Sequence, residues 1–363
     1  MPFTFPHFGS LKYVFKVLLN ELGRFDLIMP TKPNKKTAQL GAIHSPEFIC
    51  TPFKITLGTF IEGLERGATE LGMGGCNAYC RFGYYWPVQK LILEDLGYDF
   101  KFIALNYESP KEIIQVIKKE ISPDLNLLQI IRAFRIMWLK NRLTDLVDKL
   151  IYKYRAIETT KGSTERVAQK AFNMIVELKG IRNIKRSTRT LPQMFENEID
   201  YDKKANPLKV CVNGEIYVVL EPSLNLDIMK RLNEIGVHVE TPISLGRYID
   251  VGVKLNPFKK FHSQHSVAAA KPYVEHRCGG ETQENLGDVI MYKKEGWDGI
   301  IHLYPFTCMP EIISRSIFPQ LSKKYDMPVM SLVLDEQTAE AGLQTRLEAF
   351  IDLLTRKRDA NGN

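Results

Sequence analysis

Hydrophobic and polar positions along this chain switch between a period near 3.6 residues and a period near 2, and the switches mark out its elements. PFTFP (2–6) reads as a short strand, LKYVFKVLLNELG (11–23) as an amphipathic helix and FDLIMP (25–30) as a second strand. The pattern then repeats. ITLGTFIEGLERG (55–67) is helical, TELGMGG (69–75) is a strand running into a glycine turn, PVQKLILEDLG (87–97) is a helix with Pro87 near its first turn, and DFKFIALN (99–106) is a strand. Such alternation predicts a parallel sheet wrapped by helices.

From about Lys111 to Asp200 the β-branched alternation disappears. Long 3.6-period patterns replace it, in LLQIIRAFRIMWLKNRLTDLVDKLIYKY (127–154) and ERVAQKAFNMIVELKG (165–180). The polar, proline-containing EIDYDKKANPLK (198–209) separates this stretch from a second alternating region. There KVCVNGEIYVV (209–219), VHVETPI (237–243), DGIIHLYP (298–305) and PVMSLVLDE (328–336) predict strands. LNLDIMKRLNEIG (224–236), ENLGDVIMYKKEG (284–296), PEIISRSIFPQLSKKY (310–325) and LQTRLEAFIDLLTRK (343–357) predict helices. The expectation is an α/β chain of two parallel-sheet domains, 1–110 and 205–363, with a helical subdomain at 111–204 inserted between them.

Composition adds constraints. The chain has 363 residues, 44% hydrophobic and 25% charged, an ordinary globular balance for two or three domains. No run of eighteen apolar residues occurs, and Lys12, Lys16 and Glu21 interrupt the N-terminal segment, which argues against a membrane span or a signal-peptide core. A cytoplasmic protein is the expectation. Its six cysteines are too few for a disulfide scaffold and are available for packing or chemistry. The net charge of +7 is uneven: KGIRNIKRSTR (179–189) carries Lys179, Arg182, Lys185, Arg186 and Arg189 with no acid among them. That run reads as a solvated helix end or loop, or as a docking surface for an acidic partner. No nucleic-acid recognition motif accompanies it, so no nucleic acid is expected.

The cysteines fall in a pattern. Cys50 and Cys308 each begin a C-x-P sequence at a predicted helix start, and Cys308 also follows a strand. Cys76 follows TELGMGG and, with Cys80, precedes the helix opened by Pro87. Unpaired N–H groups and the positive end of a helix dipole stabilise a thiolate, the form that binds metal. Gly72, Gly74 and Gly75 allow close backbone approach and N–H donation to sulfide. The bland alternative is that these are small core side chains. Zinc is the weaker metal fit, because its structural sites use close C-x2-C pairs, and no dithiol C-x-x-C is present. Scattered soft thiolates suit an iron–sulfur cluster better. Cys211 reads as core, and the glycine neighbours of Cys278 in RCGGETQENLG leave its role open.

Other motifs are weak. No phosphate-binding loop exists, and GMGG does not complete a dinucleotide fingerprint. His7 and His302 read as packing residues. Glu336 and Thr338, after the strand PVMSLVL, either line the crevice at that sheet edge or sit in an exposed loop.

SPEFICTPFKITLGTFIEGLERGA, GGCNAYCRFGYYWPVQ, GEIYVVLEPSLNLDI and GWDGIIHLYPFTCMPEI with LDEQTAEAGLQTRLEAFIDLL resemble the CoA-protein activases, which are similar to the D-component of 2-hydroxyacyl-CoA dehydratases and to double-cubane cluster proteins. The likeness spans nearly the whole chain and is looser in the helical middle. It implies two flavodoxin-like domains with an iron–sulfur cluster between them, reduced at low potential by a separate ATP-hydrolysing activator. It matches Cys50, Cys308 and at least one of Cys76 and Cys80 to ligand positions. The chain departs from the family in its C-x3-C spacing, where the family's glycine loop has a tighter cysteine pair. Three ligands to a 4Fe-4S cluster leave an iron open to substrate, and four suit an electron carrier; a double cubane needs more cysteines, with Cys278 the nearest candidate. The implied function is a lyase or reductase component acting on a small or CoA-linked substrate, with a dimer as a further expectation. The alternative is a non-catalytic cluster protein that regulates or assembles a partner.

Overall fold

The computed structural model describes residues 1–75, 80–106, 109–246, 262–360 and 362. It is a mixed α/β structure with two parallel sheets. The chain divides into two compact units, Met1–Asn141 and Arg142–Asn363.

The first unit carries β1 (Phe3–Thr4), β2 (Glu70–Gly75) and β3 (Lys101–Asn106), all parallel, with Phe3 opposite Glu70 and Glu70 opposite Lys101. Leu27 bridges Phe3 along the edge of β1 that β2 leaves open. Read across the sheet, the chain order is therefore 2-1-3-4. FDLIMP, expected as a strand, is reduced to that bridge; Pro30 and Pro33 lack the N–H that a longer ladder needs. Around the sheet lie α1 (Leu11–Glu21), α2 (Lys35–His44), α3 (Thr51–Glu65) and α4 (Tyr85–Asp95), followed by α5 (Pro110–Val116), which runs into a π turn at Ile117–Ile121.

α2 is a helix that hydrophobic periodicity did not predict, since its buried residues are only Thr37 and Gly41. Local chemistry makes it: Asn34 and Thr37 form a reciprocal capping box, and glycines let it lie directly on α3. A methyl group at Gly41 would overlap the Lys54 carbonyl, and one at Gly58 the Thr37 carbonyl. The apolar side of α3, with Phe53, Leu57 and Phe60, packs with Leu71 and Leu93 into the core of this unit.

α6 (Leu127–Arg155), α7 (Ser163–Glu177) and α8 (Ile181–Glu198) are the long helices expected in the middle of the chain, and the boundary between the units falls within α6. The second sheet orders its strands β5 (His238–Glu240), β4 (Lys209–Gly214), β6 (Gly299–Pro305) and β7 (Val329–Leu334), all parallel. This is again 2-1-3-4. Its helices are α9 (Ile216–Leu220), α10 (Ile228–Glu234), α11 (His262–Ala270), α12 (Thr282–Lys294), α13 (Met309–Tyr325) and α14 (Glu340–Ala360). IYVV, expected to continue β4, is instead the helix α9: the Glu215 side chain caps it by accepting from Val218 N, and this local bond overrides the β-branched run.

The two units resemble each other beyond strand order. Gly58 and Gly287 both sit where a preceding helix crosses closely, Gly287 against the Ser266 carbonyl. Each stands nine residues before a left-handed glycine, Gly67 and Gly296, that ends its helix three residues ahead of β2 or β6.

Candidate functional site

Cys50 is the N-cap of α3, with extended backbone (φ −66°, ψ 147°) and Pro52 in the first turn. Its side chain makes no capping hydrogen bond to the helix. Its Sγ is buried in hydrogen-bonding contact with Tyr85 Oη. Tyr85 is held edge-on by Phe53 and Phe82, with centroids 5.1 and 5.3 Å away. Cys80 caps the 3-10 turn Arg81–Tyr84 that leads into α4, also extended (φ −95°, ψ 149°) and without a side-chain cap. Arg81 donates from Nη1 to the Phe48 carbonyl at 2.8 Å and ties the Cys80 loop to the loop before Cys50. Two of the expected thiol loops thus lie together in the first unit. Cys76 falls outside the described residues.

Cys308 is the N-cap of α13 (φ −76°, ψ 105°), buried and again without a side-chain cap. Cys80 and Cys308 occupy matching places: Cys80 opens a helical turn after β2, the strand next to β1, and Cys308 opens α13 after β6, the strand next to β4. The residue before Cys308 is strained: Thr307 is β-branched yet adopts φ +65°, and its Oγ1 is buried with no hydrogen-bond partner among the described residues. Phe306, Met309 and Ile312 surround the turn with half-exposed apolar side chains.

Beneath that turn lies a buried polar network. His302 on β6 and Glu311 in the first turn of α13, both wholly buried, meet at 2.7 Å through Nε2 and Oε2. Asn285 on α12 donates to the same Glu311 oxygen at 2.8 Å and accepts from Gly214 N at 3.2 Å, and Asn213 Nδ2 donates to the Asn285 carbonyl. The other His302 nitrogen lies 3.3 Å from Ser331 Oγ on β7. These bonds join the ends of β4 and β6, where the winding of the sheet reverses and open α/β sheets place their ligands. Glu311 Oε1 has no partner among the described residues. Burial pushes the neighbouring Glu215 carboxyl up to about 7, and the charge of Glu311 adds to the shift.

Sequence reasoning missed this network because its members are scattered between 213 and 331. The one local sign was the Cys-x-x-Glu spacing of 308 to 311, the interval from an N-cap to the third helical residue. Cys211 lies in β4, fully buried, with a hydrogen bond to Tyr292. Cys278 is partly exposed, 3.5 Å from the His276 carbonyl, in a turn whose Gly280 packs on Pro310. His7 is buried with its ring 3.5 Å from Lys12 Nζ. Thr338 closes a turn on Asp335 and lines a shallow groove with Leu332, Leu334, Leu343 and Arg346.

None of the five described cysteines is in a disulfide, and no group of three or more His, Cys, Asp or Glu side chains among the described residues is arranged to hold a metal ion. No helix of the described residues is long and apolar enough to cross a membrane. Comparison with protein-family models finds no match, and comparison with curated proteins finds none either. Fold and geometry define the class: an α/β protein of two parallel-sheet units with cysteines at helix starts.

Proposed function

We propose that the chain is an iron–sulfur protein of the 2-hydroxyacyl-CoA dehydratase type, built on two flavodoxin-like units. A 4Fe-4S cluster is held by Cys50, Cys308 and one or both of Cys76 and Cys80. The protein takes part in low-potential electron transfer, or in reduction or dehydration of a small or CoA-linked substrate, and a separate ATP-hydrolysing activator drives it. One observation carries this reading: Cys50, Cys80 and Cys308 each stand at the N-cap of a helical turn.

The donor set fits such a group. Soft thiol donors sit at helix starts, where the positive end of the helix dipole stabilises negative charge on sulfur. When bound, the cluster supplies a one-electron carrier and, at an iron without a cysteine, a Lewis acid. The chain's own part is to hold the thiolates and keep water from them; Tyr85 fixes Cys50, and the His302–Glu311–Asn285 network fixes the turn that carries Cys308. The sequence carries no phosphate-binding loop motif, which supports the reading that a separate activator couples reduction to ATP.

The test is ligand replacement under anaerobic conditions. Cys50→Ser and Cys308→Ser should each lose or alter the iron, because a hard oxygen donor replaces a soft one, whereas Cys211→Ser should keep it. Iron content indifferent to Cys50 and Cys308 but lost with Cys211→Ser would overturn the assignment. Electron paramagnetic resonance during reduction, with and without the activator and ATP, tests the partner: full reduction by a chemical reductant alone argues against it.

A further inference from the structure

One face of α8 concentrates positive charge. Its buried side carries Ile184, Ser187, Leu191 and Phe195, and Phe195 packs on Tyr154 at 5.9 Å. Arg182, Lys185, Arg186 and Arg189 follow the i, i+3, i+4, i+7 spacing that makes a single stripe, and all four are exposed. Seven residues at 1.5 Å each make the stripe about 10 Å long. Lys179, also exposed, immediately precedes the helix.

Several surface cations elsewhere pair with acids: Lys101 with Glu120, Arg155 with Glu165, Arg231 with Glu340, Lys357 with Asp326. Among the described residues, no ion pair forms at Lys179, Arg182, Lys185, Arg186 or Arg189, and α8 has no acid in its first turn. The arrangement works against the helix. Arg182 with Arg186 and Lys185 with Arg189 are like charges four residues apart, and they crowd the half of the helix where the backbone dipole already presents its positive end. Folding gains nothing from them, since glutamine or glutamate at the same positions would leave the buried stripe intact. A feature that costs the fold and serves no packing role points to a partner.

We infer that this stripe docks an acidic protein surface, a helix or segment presenting carboxylates at matching three- and four-residue intervals. The apolar face of α8 is packed inside the protein, so the helix cannot lie in a bilayer interface. The residues flanking the cations are Asn183, Thr188 and Thr190, with no aromatic ring on which a base could stack. The inference is independent of the cysteine chemistry and stands or falls on its own test.

The probe is a helical peptide with four glutamates at i, i+3, i+4 and i+7, measured against the full-length chain by fluorescence anisotropy. Controls are a peptide of the same composition with the glutamates scrambled, a single-stranded RNA of equal charge, and phosphatidylserine vesicles. The expected result is that the spaced peptide binds more tightly than the scrambled one, and that raising salt weakens it. The R182Q/K185Q/R186Q/R189Q variant should lose binding about tenfold or more. That variant relieves repulsion and should fold at least as stably, which circular dichroism checks; Lys294→Gln with Lys323→Gln, exposed on α12 and α13, should leave binding unchanged. Equal binding of the scrambled peptide, tighter binding of RNA or vesicles, or no loss in the quadruple variant would overturn the inference.

Discussion

Replacing His302 by alanine removes one partner from a wholly buried carboxylate and leaves Glu311 with Asn285 alone. Removing one hydrogen-bond partner from a buried carboxylate costs about 1.5–3 kcal/mol. The lost ring adds to this, because His302 stacks on Tyr304 at 5.3 Å and meets the edge of Phe318 at 4.8 Å. Glu311→Gln is milder: an amide oxygen at the Oε2 position still accepts from both His302 and Asn285, while the amide nitrogen faces the Oε1 side, where no partner stands among the described residues, for about 1–3 kcal/mol. Urea denaturation followed by circular dichroism should therefore rank His302→Ala below Glu311→Gln, and both below wild type. Because Glu311 lies in the helical turn that Cys308 opens, both variants should also speed alkylation of Cys308, with His302→Ala the faster. The reasoning fails if Glu311→Gln is the more damaging, or if both cost under about 1 kcal/mol.

Gly58→Ala should destabilise by about 1–3 kcal/mol in the same urea assay, because the methyl overlaps the Thr37 carbonyl, whereas Gly342→Ala in α14, with nothing near its added carbon, should stabilise by up to about 1 kcal/mol. Equal effects from the two would contradict the helix-crossing account. The Glu215 carboxyl, raised to about 7 from an ordinary 4.5 mainly by burial, binds its proton more tightly folded than unfolded, so the stability it supports is present below pH 4.5 and lost as pH rises through about 7. Asp145, also raised to about 7 by burial, acts in the same direction. Glu215→Gln should shrink the fall in urea midpoint between pH 5 and pH 8; an unchanged slope would place the titration elsewhere.

Strong local patterns carried most of the fold. β2, β3, β6 and β7 form where alternation ends against glycine or proline, and α6 to α8 where a 3.6-residue period persists. What escaped was set by contacts distant in sequence or by single hydrogen bonds. α2 depends on a capping box and on backbone-to-backbone packing through Gly41 and Gly58, neither of which leaves an apolar stripe. α9 turns a β-branched run into a helix through one Glu215 cap. In the site, the helix-start positions of Cys50 and Cys308 were legible because proline follows each by two residues. The network under Cys308 was not, since Asn213, Asn285, His302 and Ser331 meet only once four elements are in place.

The central claim, that these thiols hold an iron–sulfur cluster, is tested most directly by measuring iron and acid-labile sulfide in protein purified without oxygen. The account predicts a brown protein with both present in near-equal amounts, as a 4Fe-4S cluster requires. Stoichiometric zinc without sulfide, or a colourless protein that binds no iron on anaerobic reconstitution, would contradict it.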